Sequence, residues 1–160
     1  MVRVSPEDVA RVGLALRHFS LAANSLRTTV AAQLPINVTE LIALGQLAES
    51  AERTPTQLAQ DLSITTASVT VLVDHLESAG FVYRTRSTVD RRSLTLSLTP
   101  AGTHIMRRLQ EQYRAAIVEA FEQSGATLAP EIAAFLEQVS RTLAEFIVGE
   151  PGPSPITKNQ

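Results

Sequence analysis

Apolar residues recur along this chain in two rhythms, and the switch between them outlines the fold. After Ser5-Pro6-Glu7-Asp8, with Ser5 as N-cap and Pro6 in the first helical position, apolar residues step along the chain by threes and fours. They are Val9, Val12, Leu16, Phe19, Ala23, Leu26 and Val30. This is the seam one helix presents to another, and Leu14, Leu21 and Ala22 add a second stripe. Such a helix is either an ordinary core element or half of a subunit interface. Pro35 ends it, and a second helix starts near Thr39 with Leu41, Leu44, Leu47 and Ala48 turned toward a core. Residues 49–53 read as a polar turn. Thr54-Pro55-Thr56-Gln57 is another start signal, a capping box that opens a short helix to about Leu62. Beyond the turn Leu62-Ser63-Ile64, Thr65 caps a helix through about Ser78 that carries Val69, Leu72, Val73 and Leu76 on one face. Gly80 supplies the stop.

There the rhythm changes. Leu94, Leu96 and Leu98 alternate with Thr95, Ser97 and Thr99, the period of a half-buried strand. Residues 81–86 make its partner, and residues 87–93 form the tip between them. Thr99-Pro100 caps a long helix with Met106, Leu109, Tyr113, Ala116 and Ala120 in helical spacing, widened by Ile117 and Phe121. Residues 124–128 interrupt the pattern. Ile132, Leu136, Val139, Leu143 and Phe146 then mark a last amphipathic helix.

The expected architecture is mainly α with a small β-hairpin wing. A winged helix-turn-helix at residues 37–99 lies between a helix in 1–36 and two helices in 100–148, and the Pro- and Gly-rich tail, 149–160, should be disordered. The flanking helices carry more apolar surface than so short a central domain can cover. They are expected to pair across a twofold axis, with Val9, Val12, Leu16, Leu136, Val139, Leu143 and Phe146 at the dimer interface.

Composition narrows the reading. With 160 residues, 44% of them hydrophobic and 19% charged, the chain can bury one sizeable core. A net charge of -2 argues, as an average, against a nucleic-acid partner. The distribution argues the other way. Arg84, Arg86, Arg91, Arg92, Arg107 and Arg108 stand against the single acid Asp90 in residues 84–108, a local +5 against -7 elsewhere. Because ordinary salt screens fields within about 10 Å, a basic stripe on an acidic body still attracts DNA. The absence of cysteine removes thiol redox chemistry, disulfides and thiolate metal sites. No segment reaches the roughly 20 apolar residues of a membrane span, so a cytoplasmic protein with no membrane partner is expected.

Two short helices and a hairpin with arginines at its tip are the parts that place one helix in a DNA major groove and a wing in the neighbouring minor groove. The helix start at Thr65 and Thr66 suits a phosphate, while Ser68, Thr70, Val71 and His75 are free to face base edges. In the wing, Arg84, Arg86, Asp90, Arg91 and Arg92 are the candidates, with Asp90 orienting a neighbouring guanidinium. No nucleophile beside a base, glycine-rich phosphate loop or carboxylate cluster appears, and the three histidines are scattered. The expectation is therefore no enzyme, no cofactor and no metal.

These residues closely resemble the MarR family of winged-helix regulators. The match lies in Gln57-Leu58-Ala59-Gln60-Asp61-Leu62-Ser63-Ile64, Ser68-Val69-Thr70, Leu72-Val73-Asp74-His75-Leu76-Glu77 and Gly80-Phe81-Val82. It continues in Asp90-Arg91-Arg92 and Ser97-Leu98-Thr99-Pro100-Ala101-Gly102. The resemblance implies a homodimer whose first and last two helices form the dimer region, and a wing arginine, Arg92, that enters the minor groove. It also implies a cleft for a small aromatic or phenolic effector among the first helix, the second helix and the helix after Pro100. Arg17, His18, Phe19 and His104 are the expected lining. Val71 and His75 depart from the family by standing where relatives carry Arg or Lys, and Ser63 replaces a turn glycine. Fewer cations mean fewer released counterions and modest affinity.

The expected function is a ligand-responsive repressor, acting as a homodimer on a palindromic operator in double-stranded DNA. The alternative is a helical, dimeric interaction protein that keeps the winged-helix fold but has lost effective DNA binding.

Overall fold

The computed structural model describes residues 4–50, 52–86 and 94–149. The expected wing tip with Asp90, Arg91 and Arg92, and the expected disordered tail beyond residue 149, lie outside the described residues. The elements run α1 (Pro6–Ala31), α2 (Val38–Ala48), α3 (Pro55–Leu62), α4 (Thr66–Ser78), β1 (Val82–Arg86), β2 (Leu94–Leu98), α5 (Pro100–Ser124) and α6 (Ala129–Gly149). By its contacts the chain divides into two compact units, one up to Arg114 and one from Ala115.

Local chemistry sets the helix starts. The Asp8 amide donates to Ser5 Oγ at 3.1 Å, and the Ser68 amide donates to Thr65 Oγ1 at 3.2 Å. Thr54 and Gln57 close the expected capping box, the Thr54 amide donating to Gln57 Oε1 at 2.8 Å and the Gln57 amide to Thr54 Oγ1 at 3.2 Å. At α2 the start falls one residue earlier than the pattern places it, because Asn37 and Glu40 form a second capping box. Ala48, expected to face the core, ends that helix exposed.

In the first unit the core gathers Leu41 and Leu44 of α2, Leu58 of α3, Val69, Val73 and Leu76 of α4, Val82 of β1 and Leu96 of β2. Ile105, Met106 and Leu109 bring the start of α5 into it. The seam on α1 divides. Ala23 and Ala31 are buried, with Leu26 and Val30 packed against the core, whereas Val9, Val12 and Phe19 remain exposed. Arg27 stacks on the Tyr113 ring at 5.9 Å from its centroid, and the Tyr113 hydroxyl donates to the Ala23 carbonyl at 3.3 Å.

The hairpin is antiparallel, with Val82 opposite Leu98 and Arg86 opposite Leu94. Its burial does not follow strict alternation: Leu94 is 48% exposed, whereas Thr95 and Leu96 are both buried. Thr95 can go inward because its hydroxyl meets that of Thr85 across the pair at 2.9 Å. Leu96, opposite Arg84 in the hairpin, has a second pairing partner on its other side. Its amide donates to the Arg53 carbonyl at 2.7 Å, so the stretch expected to be only a polar turn ends in a β-bridge.

The exit from the wing explains Thr99-Pro100-Ala101-Gly102. Thr99 donates through its hydroxyl to the Gly80 carbonyl at 2.7 Å and through its amide to the Phe81 carbonyl at 3.0 Å. The same hydroxyl accepts from the Gly102 amide at 3.1 Å, which caps α5. A Cβ on Gly102 would lie 2.3 Å from the Phe81 carbonyl oxygen, so this approach of helix to backbone requires glycine.

The second unit, taken by itself, has no buried side chain on the described part of α6. Ile132, Phe135, Leu136, Leu143 and Phe146 are all exposed, Phe146 to 65%. Phe135, Val139, Leu143 and Phe146 line an open groove along this helix.

Candidate nucleic-acid interface

The turn between α3 and α4 puts one face of α4 in the core and leaves the other in solvent. Ser63 turns the chain with φ of 53°, and the Ile64 amide donates back to the Ala59 carbonyl at 3.0 Å. Thr66, Ser68, Thr70, Val71 and His75, all expected on the reading face, are exposed, Val71 to 69%. Several of their polar groups are occupied locally. Ser68 Oγ meets Thr65 Oγ1 at 2.9 Å, and the Thr70 hydroxyl donates to the Thr66 carbonyl at 3.0 Å. The first turn of α4 still offers backbone N–H groups and the positive end of the helix dipole.

His75 is placed differently from a free surface side chain. Its Nδ1 lies 2.6 Å from Oε1 of Glu40, a carboxylate only 5% exposed in the first turn of α2. The other oxygen of Glu40 accepts from the Asn37 amide at 2.8 Å. Sequence reasoning passed over Glu40, although Asn37-Val38-Thr39-Glu40 has the spacing of a capping box.

Arg84, expected among the DNA contacts of the wing, turns toward α4. Its guanidinium pairs with Asp74 at 2.5 Å and with Glu77. The hydrogen bond to Asp74, aided by the nearby charges of Glu77 and Asp74, raises its pKa further above an already high value, against a smaller opposing effect of burial. This fork fastens β1 to α4. Arg86, two residues on, is exposed and unpaired among the described residues. A comparable tie holds α3: Arg53 pairs with Asp61 and, at 3.9 Å, with Glu49.

The residues expected to line an effector cleft are not brought together. Arg17, His18 and Phe19 are exposed on α1, and His104 is exposed on α5 with its Nδ1 3.0 Å from Arg107. A cavity of about 120 Å³ does open between α1 and α5, lower on both helices. Leu26, Val30, Ile105 and Leu109 wall it, with Thr29, Gln33, Arg108 and Gln112 as the polar groups. No residue of α2 contributes. Of the expected dimer residues, Val9, Val12, Leu136, Leu143 and Phe146 are exposed, while Leu16 and Val139 are half-buried. Among the described residues, no group of three or more His, Cys, Asp or Glu could hold a metal.

Residues 36–94, from just before α2 to the first residue of β2, match the model of the MarR family. That central segment is a MarR-family segment. The chain is 40% identical over 55 residues to the HTH-type transcriptional regulator PapX of Escherichia coli, a stretch that is 34% of each chain. The match thus spans about a third of that relative. The fold extends further than the sequence match. A MarR family protein of Bacillus stearothermophilus superposes with a TM-score of 0.65 at 20% identity, over 91% of this chain and 99% of that one. Streptococcus pneumoniae FabT, solved in complex with DNA, superposes with a TM-score of 0.62 at 24% identity, over 88% and 97%. The MarR fold is therefore shared across most of the chain, including the long helices outside the matched segment. Among the described residues no helix is long and apolar enough to cross a membrane.

Proposed function

We propose that this chain is a MarR-family, sequence-specific, double-stranded DNA-binding transcriptional regulator, a ligand-responsive repressor that works as a homodimer on a palindromic operator. The observation that carries the reading is the outward face of α4 standing beside a hairpin fastened to it by Arg84. The same fold in FabT is known bound to DNA. With Arg84 engaged, the wing cations left for phosphates or a minor groove are Arg86, Arg91 and Arg92, with Asp90 to orient a neighbour. Pairing of two copies is supported by the uncovered apolar residues of α1 and, separately, of α6. A twofold axis would then present two copies of α4 to successive turns of a palindrome.

The α1/α5 cavity is the effector site in this reading. Its volume of about 120 Å³ is of the same order as an engineered cavity of about 150 Å³ that binds benzene, so the ligand it suits is no larger than a single ring. Arg108 supplies the partner for a phenolate or carboxylate. A ligand there represses or releases only by favouring one spacing of the two reading helices over another.

One observation favours the alternative of an interaction protein without effective DNA binding: the reading face of α4 carries no Arg or Lys. Fluorescence anisotropy against duplexes enriched from a randomised library separates the two. The regulator reading expects specific binding that weakens from low to moderate salt and loses roughly tenfold or more in an Arg91→Ala, Arg92→Ala double variant. Failure to enrich any duplex, or binding insensitive to salt and to both substitutions, would refute it.

A further inference from the structure

We propose that Glu40 is a positioning residue for DNA reading. It holds the proton of His75 on Nδ1, so that Nε2 faces the groove as a hydrogen-bond acceptor and selects a base carrying an exocyclic amine. The inference rests on the DNA-binding reading above and adds to it a named base contact and the buried group that sets its polarity.

The geometry is a carboxylate with two donors on two oxygens. The Asn37 amide occupies Oε2 at 2.8 Å, and His75 Nδ1 occupies Oε1 at 2.6 Å. A carboxylate offers acceptors only, and a backbone amide is always a donor, so Nδ1 must carry the ring proton in this contact. The remaining nitrogen, Nε2, has no hydrogen bond among the described residues, and the His75 side chain is 54% exposed. Glu40 itself is fastened: it closes the capping box of α2 and is almost wholly buried. The contact spans 35 residues, so it ties the reading helix to the start of α2.

Its neighbours on α4 make the nitrogen matter. Ser68 and Thr70 spend their hydroxyls on Thr65 and on the Thr66 carbonyl, Val71 has no polar atom, and Asp74 is held by Arg84. An acceptor in the major groove meets the amines at adenine N6 or cytosine N4, and it is repelled by guanine O6 and N7. A glutamine at position 40 would reverse this. The Asn37 amide must still be met by an oxygen, which leaves the side-chain NH2 facing Nδ1. The ring proton then moves to Nε2, which becomes a donor suited to guanine.

The test is selection from a duplex library, followed by anisotropy at mildly alkaline pH, on full-length wild type, His75→Ala and Glu40→Gln. Nitrogen-15 NMR of the wild-type imidazole reads the tautomer directly. Wild type should show a ring protonated on Nδ1 and enrich adenine or cytosine at one symmetric position per half-site. His75→Ala should lose roughly tenfold discrimination there and nowhere else, and Glu40→Gln should switch that position to guanine. A wild-type ring protonated on Nε2 overturns the role of Glu40. So does a Glu40→Gln protein that keeps the wild-type preference, and an unchanged His75→Ala motif overturns the base contact. Should Glu40→Gln fail to fold, the NMR tautomer and His75→Ala decide between them. If wild type enriches no duplex at all, the DNA-binding reading falls and takes the base contact with it, whereas enrichment with the wrong tautomer removes Glu40 alone.

Discussion

Alanine at position 102 adds a single methyl group at the tightest approach in the first unit. Its Cβ would sit 2.3 Å from the Phe81 carbonyl oxygen and 3.2 Å from the carbonyl carbon. Ordinary carbon–oxygen contacts lie near 3.3 Å, so the start of α5 or the end of the α4–β1 turn must yield by about 1 Å. That oxygen accepts from the Thr99 amide at 3.0 Å, and Thr99 in turn bonds Gly80 at 2.7 Å and Gly102 at 3.1 Å. Overpacking costs about 1–3 kcal/mol, and each weakened hydrogen bond costs up to about 1 kcal/mol more. Against this stands a gain of at most about 1 kcal/mol from replacing glycine inside a helix. The net is a destabilisation of about 1–3 kcal/mol, a fall in Tm of roughly 2–12 °C for a chain of this size. Gly13 on α1 is the control, because nothing lies within 4 Å of a Cβ there. Gly13→Ala should stabilise by up to about 1 kcal/mol, the opposite sign. Urea and thermal unfolding by circular dichroism, at one fixed protein concentration because subunit pairing shifts Tm, measures both. A Gly102→Ala protein as stable as wild type would refute the close-approach argument.

Two more outcomes follow from single side chains. Ser63 occupies the left-handed region, which costs a non-glycine residue about 1–2 kcal/mol. Ser63→Gly should recover that less the roughly 0.5–1 kcal/mol of added chain entropy, raising the urea midpoint, and an unchanged or lower midpoint would count against strain at this turn. Leu143→Glu puts a charge on the exposed apolar face of α6 and should convert a dimer to monomer in sedimentation, with the helical circular dichroism of the first unit retained. A wild-type chain already monomeric at tens of micromolar would remove the pairing itself.

Much of the fold was legible because its punctuation is local. Ser5, Thr54 and Thr65 satisfy amides within three residues of themselves, so their helix starts can be read without knowing what packs above them. The strand pattern at Leu94 to Leu98 was legible too, but its inward set was not. Whether Thr95 can be buried depends on a hydroxyl from the other strand, and Leu96 depends on Arg53, far back in the chain.

Sequence alone determined the order and type of the elements and the residues that can carry charge or hydroxyls to a reading face, because periodicity and caps act over one or two turns. Tertiary structure alone decided what those side chains are committed to. It turned Arg84 onto Asp74 and Glu77, met His75 with the buried Glu40, and moved the cavity from Arg17, His18, Phe19 and His104 to the Leu26–Arg108 region. The physical reason is distance along the chain. A charged or polar side chain is claimed by the nearest unsatisfied partner in space, and these partners come together only when the core formed by α2, α4, β1 and β2 closes.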